Sequence, residues 1–95
     1  MKAVIDDASL GDLAAIYVWI ANDSPDAAAA MLERIFQAIE RLGRMPNIGH
    51  SGRAKDTLEW VVSGCSYVIV YEIDRATDTL IVIGVFAGSQ ELRRP

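Results

Sequence analysis

Tyr67-Val68-Ile69-Val70-Tyr71-Glu72-Ile73 and, beyond Asp74-Arg75-Ala76-Thr77-Asp78, Thr79-Leu80-Ile81-Val82-Ile83-Gly84-Val85-Phe86 decide the fold. Both runs are built from β-branched and aromatic residues, so both read as strands, and the polar break between them reads as a hairpin loop. In the first run Tyr67, Ile69, Tyr71 and Ile73 share one face, and Val68, Val70 and Glu72 share the other. In the second, strict alternation sets Leu80, Val82 and Phe86 against Ile81, Ile83 and Val85. An antiparallel sheet with one wet face alternates apolar and polar residues. This one is apolar on both faces, so each face needs a cover.

Working back toward the N-terminus, Thr57 to Val62 is a third strand, joined through the turn Ser63-Gly64-Cys65-Ser66. The three form an antiparallel meander. Met45 to Asp56 is a loop carrying Gly49, Gly52, His50, Arg53 and Lys55. Ahead of it the period changes to that of helices. Ser24 and Pro25 open a helix that runs to Arg44, where Gly43 and Pro46 end it. Its apolar stripe is Ala28, Met31, Leu32, Ile35, Ile39 and Leu42. An earlier helix runs from about Leu10 to Ala21 with Ser9 as N-cap; its stripe is Leu10, Leu13, Ile16, Tyr17 and Ile20. Val18 and Trp19 fall off that stripe. The short link Asn22-Asp23-Ser24 makes the two helices an antiparallel hairpin. Lys2 to Asp6 adds a brief edge strand.

The expected fold is therefore α+β: an N-terminal helical hairpin packed on a three- to four-stranded antiparallel sheet, one domain over residues 1–95. The hairpin covers one sheet face. The expectation for the second face is a partner chain or self-association, the alternative being that the hairpin and the tail Ala87 to Pro95 wrap both sides.

Composition narrows the function classes. The net charge is -4 and the sequence pI about 4.7, whereas a general nucleic-acid binder leans basic. Direct sequence-specific nucleic-acid binding is not expected. The apolar share, 52%, is high for so small a domain and leaves apolar surface for a partner. The lone Cys65 fits a reducing cytoplasm. The acids Asp6 and Asp7 interrupt any signal-peptide core, and no apolar run approaches a membrane span. Metal-ligand spacing and a phosphate loop are both missing, so no metal or cofactor is expected. His50 is the single histidine, and no firm nucleophile or orienting carboxylate stands beside it in sequence. Two basic sets remain: Arg41, Arg44, His50, Arg53 and Lys55, and Arg93-Arg94. Each can grip phosphate or an acidic protein surface.

In order and spacing the chain resembles the RelE/ParE superfamily of toxins from bacterial toxin–antitoxin modules. Asp12-Leu13 and Ile16, Ala27-Ala28, Met45-Pro46-Asn47-Ile48-Gly49, Thr57-Leu58-Glu59, the Tyr67 to Ile73 strand and Ile81 to Phe86 carry the resemblance. It implies the same hairpin-on-sheet fold and a ParD-like antitoxin that wraps the apolar surfaces in a hetero-oligomer, with Val18, Trp19, Val68 and Val70 as contacts. RelE-like members cut mRNA on the ribosome, and many members carry a His followed by an Arg just after the last strand. Here Ala87 takes the usual His position and no Tyr follows Tyr71. The resemblance is therefore closer to ParE-like members, which poison DNA gyrase without catalysis. Arg53, Lys55, Arg93 and Arg94 are the expected target contacts. The enzymatic alternative is an endoribonuclease built on His50, Arg53, Lys55 and Arg93, and a further alternative is an inactive relic that only binds its antitoxin.

Overall fold

The computed structural model describes residues 1–88. The elements are β1 (Lys2–Ile5), α1 (Asp7–Ala21), α2 (Pro25–Arg44), β2 (His50–Ser51), β3 (Leu58–Val61), β4 (Tyr67–Asp74) and β5 (Thr79–Ala87). The sheet order is β1-β5-β4-β3-β2. All pairings are antiparallel except β1 with β5, which is parallel. The sheet is thus five-stranded and mixed where three to four antiparallel strands were expected. The extra strand, β2, has only two residues, too few for alternation to register.

α2 follows its amphipathic pattern. The Ser24 hydroxyl accepts the Ala27 N–H at 3.1 Å, Pro25 occupies the first turn, and Ala28, Ile35, Ile39 and Leu42 are buried. α1 departs from its pattern. It starts at Asp7, and its cap is Asp6, whose carboxylate accepts the Ser9 N–H at 2.8 Å. Ser9 lies inside the helix, fully buried, and donates its hydroxyl to the Val82 carbonyl at 2.9 Å. One turn on, Asp12 Oδ2 accepts the Val85 N–H at 3.0 Å. These two bonds fix the rotation of α1 on the sheet. At about 100° per residue, Leu13, Ile16 and Ile20 then face inward with Ser9, while Leu10 and Tyr17 turn about a quarter-circle away. Leu10 and Tyr17 are accordingly exposed, which corrects the expected stripe.

The register between β4 and β5 slips at one place: Val70 pairs Gly84 and Tyr71 pairs Val82, so Ile83 is an extra residue. Such a β-bulge reverses the alternation beyond it. Val85 therefore joins Leu80 and Val82 in the core under the helices, and Phe86 moves to the opposite face. Strict alternation assigned these two residues the other way round. The in-strand Gly84 is the sequence mark of the bulge.

The core lies between α1 and α2 above and the inward residues Ile69, Tyr71, Leu80, Val82 and Val85 below. Tyr71 is fully buried. Its hydroxyl donates to the Pro46 carbonyl at 2.7 Å and accepts the Gly49 N–H at 3.1 Å, so the ring anchors the loop after α2. A Cβ on Gly49 would collide with that hydroxyl. Burial pushes the Tyr71 phenol pKa up, opposed in part by the Gly49 hydrogen bond.

Candidate functional site

The sheet face away from the helices carries Val68, Val70, Glu72 and Phe86, with Glu59 beside Val70 on the neighbouring strand. Glu59 is only 7% exposed. Its Oε2 accepts the Arg53 N–H at 3.1 Å, and its Oε1 lies 3.9 Å from His50 Nε2. The Arg53 guanidinium sits 5.8 Å over the Phe86 ring. The loop between β2 and β3 is braced from within. Gly52 N–H donates to the Thr57 carbonyl at 2.8 Å, the Thr57 hydroxyl donates to the Ala54 carbonyl at 2.7 Å, and Asp56 takes a left-handed φ of 64°. The loop therefore folds over part of the second face, using Glu59 as its acceptor. A partner chain was the expected cover, and the chain supplies part of it itself.

The basic residues picked out in the sequence divide between two places. His50 and Arg53 meet at Glu59 on this face. Lys55 is exposed in the loop. Arg41 lies on the helix side, 5.6 Å over the Trp60 ring, and Arg44 is exposed at the end of α2. They do not form a single patch. Arg93 and Arg94 lie outside the described residues. Of the apolar pair on β4, Val68 is 7% exposed and Val70 is half-buried, so Val70 offers the more surface. Sequence reasoning missed Glu59. Its signal was a single carboxylate inside Leu58-Glu59-Trp60-Val61-Val62, which marks either a wet face or a buried acceptor. Among the described residues no cluster of three His, Cys, Asp or Glu could hold a metal.

A second surface runs along α1. Val18 is 61% and Trp19 76% exposed, joined by Leu10 and Tyr17. A helix apolar on all sides is normally buried on all sides. Trp19 also lines a groove of about 430 Å³ with Asp12, Ile16, Tyr67, Val85 and the end of β5 at Phe86 and Ala87. No helix among the described residues is long and apolar enough to cross a membrane.

A helical hairpin on one face of a mostly antiparallel sheet is the fold of the RelE/ParE superfamily of toxins. A chain of a chromosomal ParDE toxin–antitoxin system from P. aeruginosa superposes with a TM-score of 0.79 at 12% identity, covering 92% of this chain and 95% of that one. The isolated E. coli RelE toxin gives 0.67 at 15% identity, covering 98% and 96%. A chain of the intact E. coli RelBE toxin–antitoxin complex also gives 0.67, at 15% identity over 90% and 94%. At these identities the likeness establishes the fold. Sequence carries the rest. The family model described as ParE toxin of type II toxin-antitoxin system, parDE, matches residues 4–92. The Sinorhizobium fredii (strain NBRC 101917 / NGR234) protein named "Putative toxin Y4kP" is 40% identical over 68 residues, 72% of this chain and 71% of that protein. The chain belongs to the ParE toxin family of type II toxin–antitoxin systems.

Proposed function

We propose that this toxin acts in the cytoplasm by binding DNA gyrase without catalysis, and that a ParD-like antitoxin neutralises it by covering α1 and its groove. The commitment of Glu59 carries the non-catalytic reading. On the outer face, where His50, Arg53 and Lys55 gather, the one buried carboxylate already holds the Arg53 N–H and is shielded by the loop. A general base must reach the proton that it removes. A negative charge there also opposes the approach of a phosphodiester. Arg53 and Lys55 on the loop, with Arg93 and Arg94, are the proposed gyrase contacts. Val18 and Trp19 on α1, and Val70 with the more buried Val68 on the opposite sheet face, are the proposed antitoxin contacts. The test is gyrase supercoiling and DNA cleavage with the purified chain. The expected result is lost supercoiling or accumulated cleaved DNA, reversed by the antitoxin. Intact gyrase activity from folded protein that still arrests growth would overturn the reading.

One observation favours a second reading, a ribosome-dependent mRNA endoribonuclease. His50 lies 3.9 Å from Glu59, with its side chain 63% exposed, and Arg53 and Lys55 share its loop. A small opening of that loop would present an acid–base pair beside two cations. Cleavage of mRNA in a translating extract, abolished by His50→Ala or Arg53→Ala, would establish it.

A further inference from the structure

Among the described residues, the sheet has an open edge along part of β3. β2 pairs only with Leu58 and Glu59, so among the described residues no strand pairs with Trp60 to Val62 on that side. The Val62 N–H donates to the Tyr67 carbonyl at 2.9 Å, toward β4. Successive residues of a strand direct their amides to opposite sides. The N–H and C=O of Val61 therefore point out of the sheet at the free edge, and Val61 is 50% exposed. Free edges of this kind accept an extended chain as an added strand.

Beside that edge, on the helix side, lies a groove of about 370 Å³ between α2 and β3, lined by Arg34, Gln37, Ala38, Arg41, Trp60 and Val62. Arg41 stacks over Trp60, while Arg34 Nη1 donates to the Ser63 and Gly64 carbonyls at 3.4 and 3.2 Å. Among the described residues neither guanidinium has a carboxylate within ion-pair distance. Glu33 and Glu40 precede the two arginines in sequence, about 100° round the helix. In a chain of net charge -4, this groove is a local inversion of sign.

We propose that the β3 edge takes an extended acidic segment of the antitoxin, read as acid–apolar–acid over three successive residues. This rests on the proposed partner above. An added antiparallel strand places its central residue opposite Val61, where the two exchange N–H···O=C bonds, with its side chain on the face away from the helices. The residues on either side then stand opposite Trp60 and Val62 and point into the groove. One carboxylate meets Arg41 and the other meets Arg34. The arginines donate planar, charge-assisted hydrogen bonds, and the backbone ladder fixes the register.

The probe is a fluorescein-labelled peptide of threonine and valine with a Glu-Val-Glu centre, titrated by anisotropy against the full chain. The expected result is binding at least about tenfold tighter than that of the Lys-Val-Lys counterpart, the scale of a charged hydrogen bond. The double variant Arg34→Glu/Arg41→Glu should reverse that preference while its circular dichroism stays unchanged. N-methylation of the peptide's central valine should abolish binding, because it removes the amide that faces Val61. Equal binding of the acidic and basic peptides, or undiminished binding after N-methylation, would overturn the proposal. The titration needs no toxicity. A chain that inhibits gyrase but ignores the peptide sinks this inference alone, and a chain that binds the peptide but leaves gyrase untouched sinks the gyrase reading alone.

Discussion

The two faces of the sheet are closed by different means. Over the inner face, α1 and α2 lay down Leu13, Ile16, Ile35, Ile39 and Leu42 against Ile69, Tyr71, Leu80, Val82 and Val85, and all ten are buried. Over the outer face, a loop hangs on one carboxylate, Glu59, and one stacked guanidinium, Arg53. The inner closure is distributed, so many apolar contacts share it. The outer closure is concentrated in a few polar ones and reaches only part of the surface. Distributed packing gives the fold its stability, while a polar clasp can open locally at small cost. The loop bearing Arg53 and Lys55 can therefore open locally without unfolding the core.

The largest expected effect tests the inner face. Tyr71→Ala removes a fully buried ring and both of its hydrogen bonds. It should cost about 3–5 kcal/mol in urea unfolding, the range for deleting a buried aromatic. A loss under about 1 kcal/mol would mean that the inner face is not held as described. The outer face gives a smaller number with a different signature. Glu59→Ala should cost roughly 1–3 kcal/mol and should raise hydrogen exchange at the Arg53 amide well before global unfolding. If that amide stays as protected as before, Glu59 is not the clasp and the two faces are closed alike.

The same contrast explains what the sequence disclosed. α2 was legible to the residue because its apolar and charged positions separate cleanly on a 3.6 period. α1 was not, because apolar residues surround it. Its orientation is set by Ser9 and Asp12 gripping Val82 and Val85, contacts between residues 73 positions apart. The swap of Val85 and Phe86 came from one bulged residue, which alternation cannot register, although Gly84 marked the place. The clasp was hidden for a similar reason. A carboxylate reads as solvent-facing until the fold supplies a donor, and here the donor is a backbone N–H six residues upstream. Trp19 was legible as an outlier, and its exposure agrees with a surface kept for a partner.

That exposure yields a prediction that separates stability from binding. Trp19→Ala should change unfolding free energy by no more than about 0.5 kcal/mol, as surface substitutions do. It should weaken antitoxin binding at least about tenfold if the indole is an anchor. An unchanged affinity would place the antitoxin elsewhere, and a large stability loss would make Trp19 part of the inner face after all.

The smallest expected effect concerns pH and sharpens the account of the inner face. The Tyr71 phenol titrates above its ordinary 10.0, first because burial penalises the phenolate. A raised folded pKa stabilises the fold fully below the unfolded pKa, and that stability is lost as pH climbs through the folded value. The sign follows because the unfolded chain releases this proton first, so alkali favours unfolding. Ionised, Tyr71 can no longer donate to the Pro46 carbonyl, and the loop after α2 loses its anchor. Tyr71→Phe should cost about 1 kcal/mol near neutrality, the scale of one hydrogen bond. It should also flatten the alkaline limb, so the gap between parent and variant narrows as pH rises past the ordinary tyrosine value of 10.0. Tyr67, whose pKa is raised by burial and then by Cys65, keeps its own alkaline contribution in both proteins and cancels from the comparison. A gap that stays constant across that rise would mean that the Tyr71 proton is as free in the folded chain as in the unfolded one. The ring would then not be sealed between β4 and the Pro46 to Gly49 loop, and the inner face would share the openness of the outer.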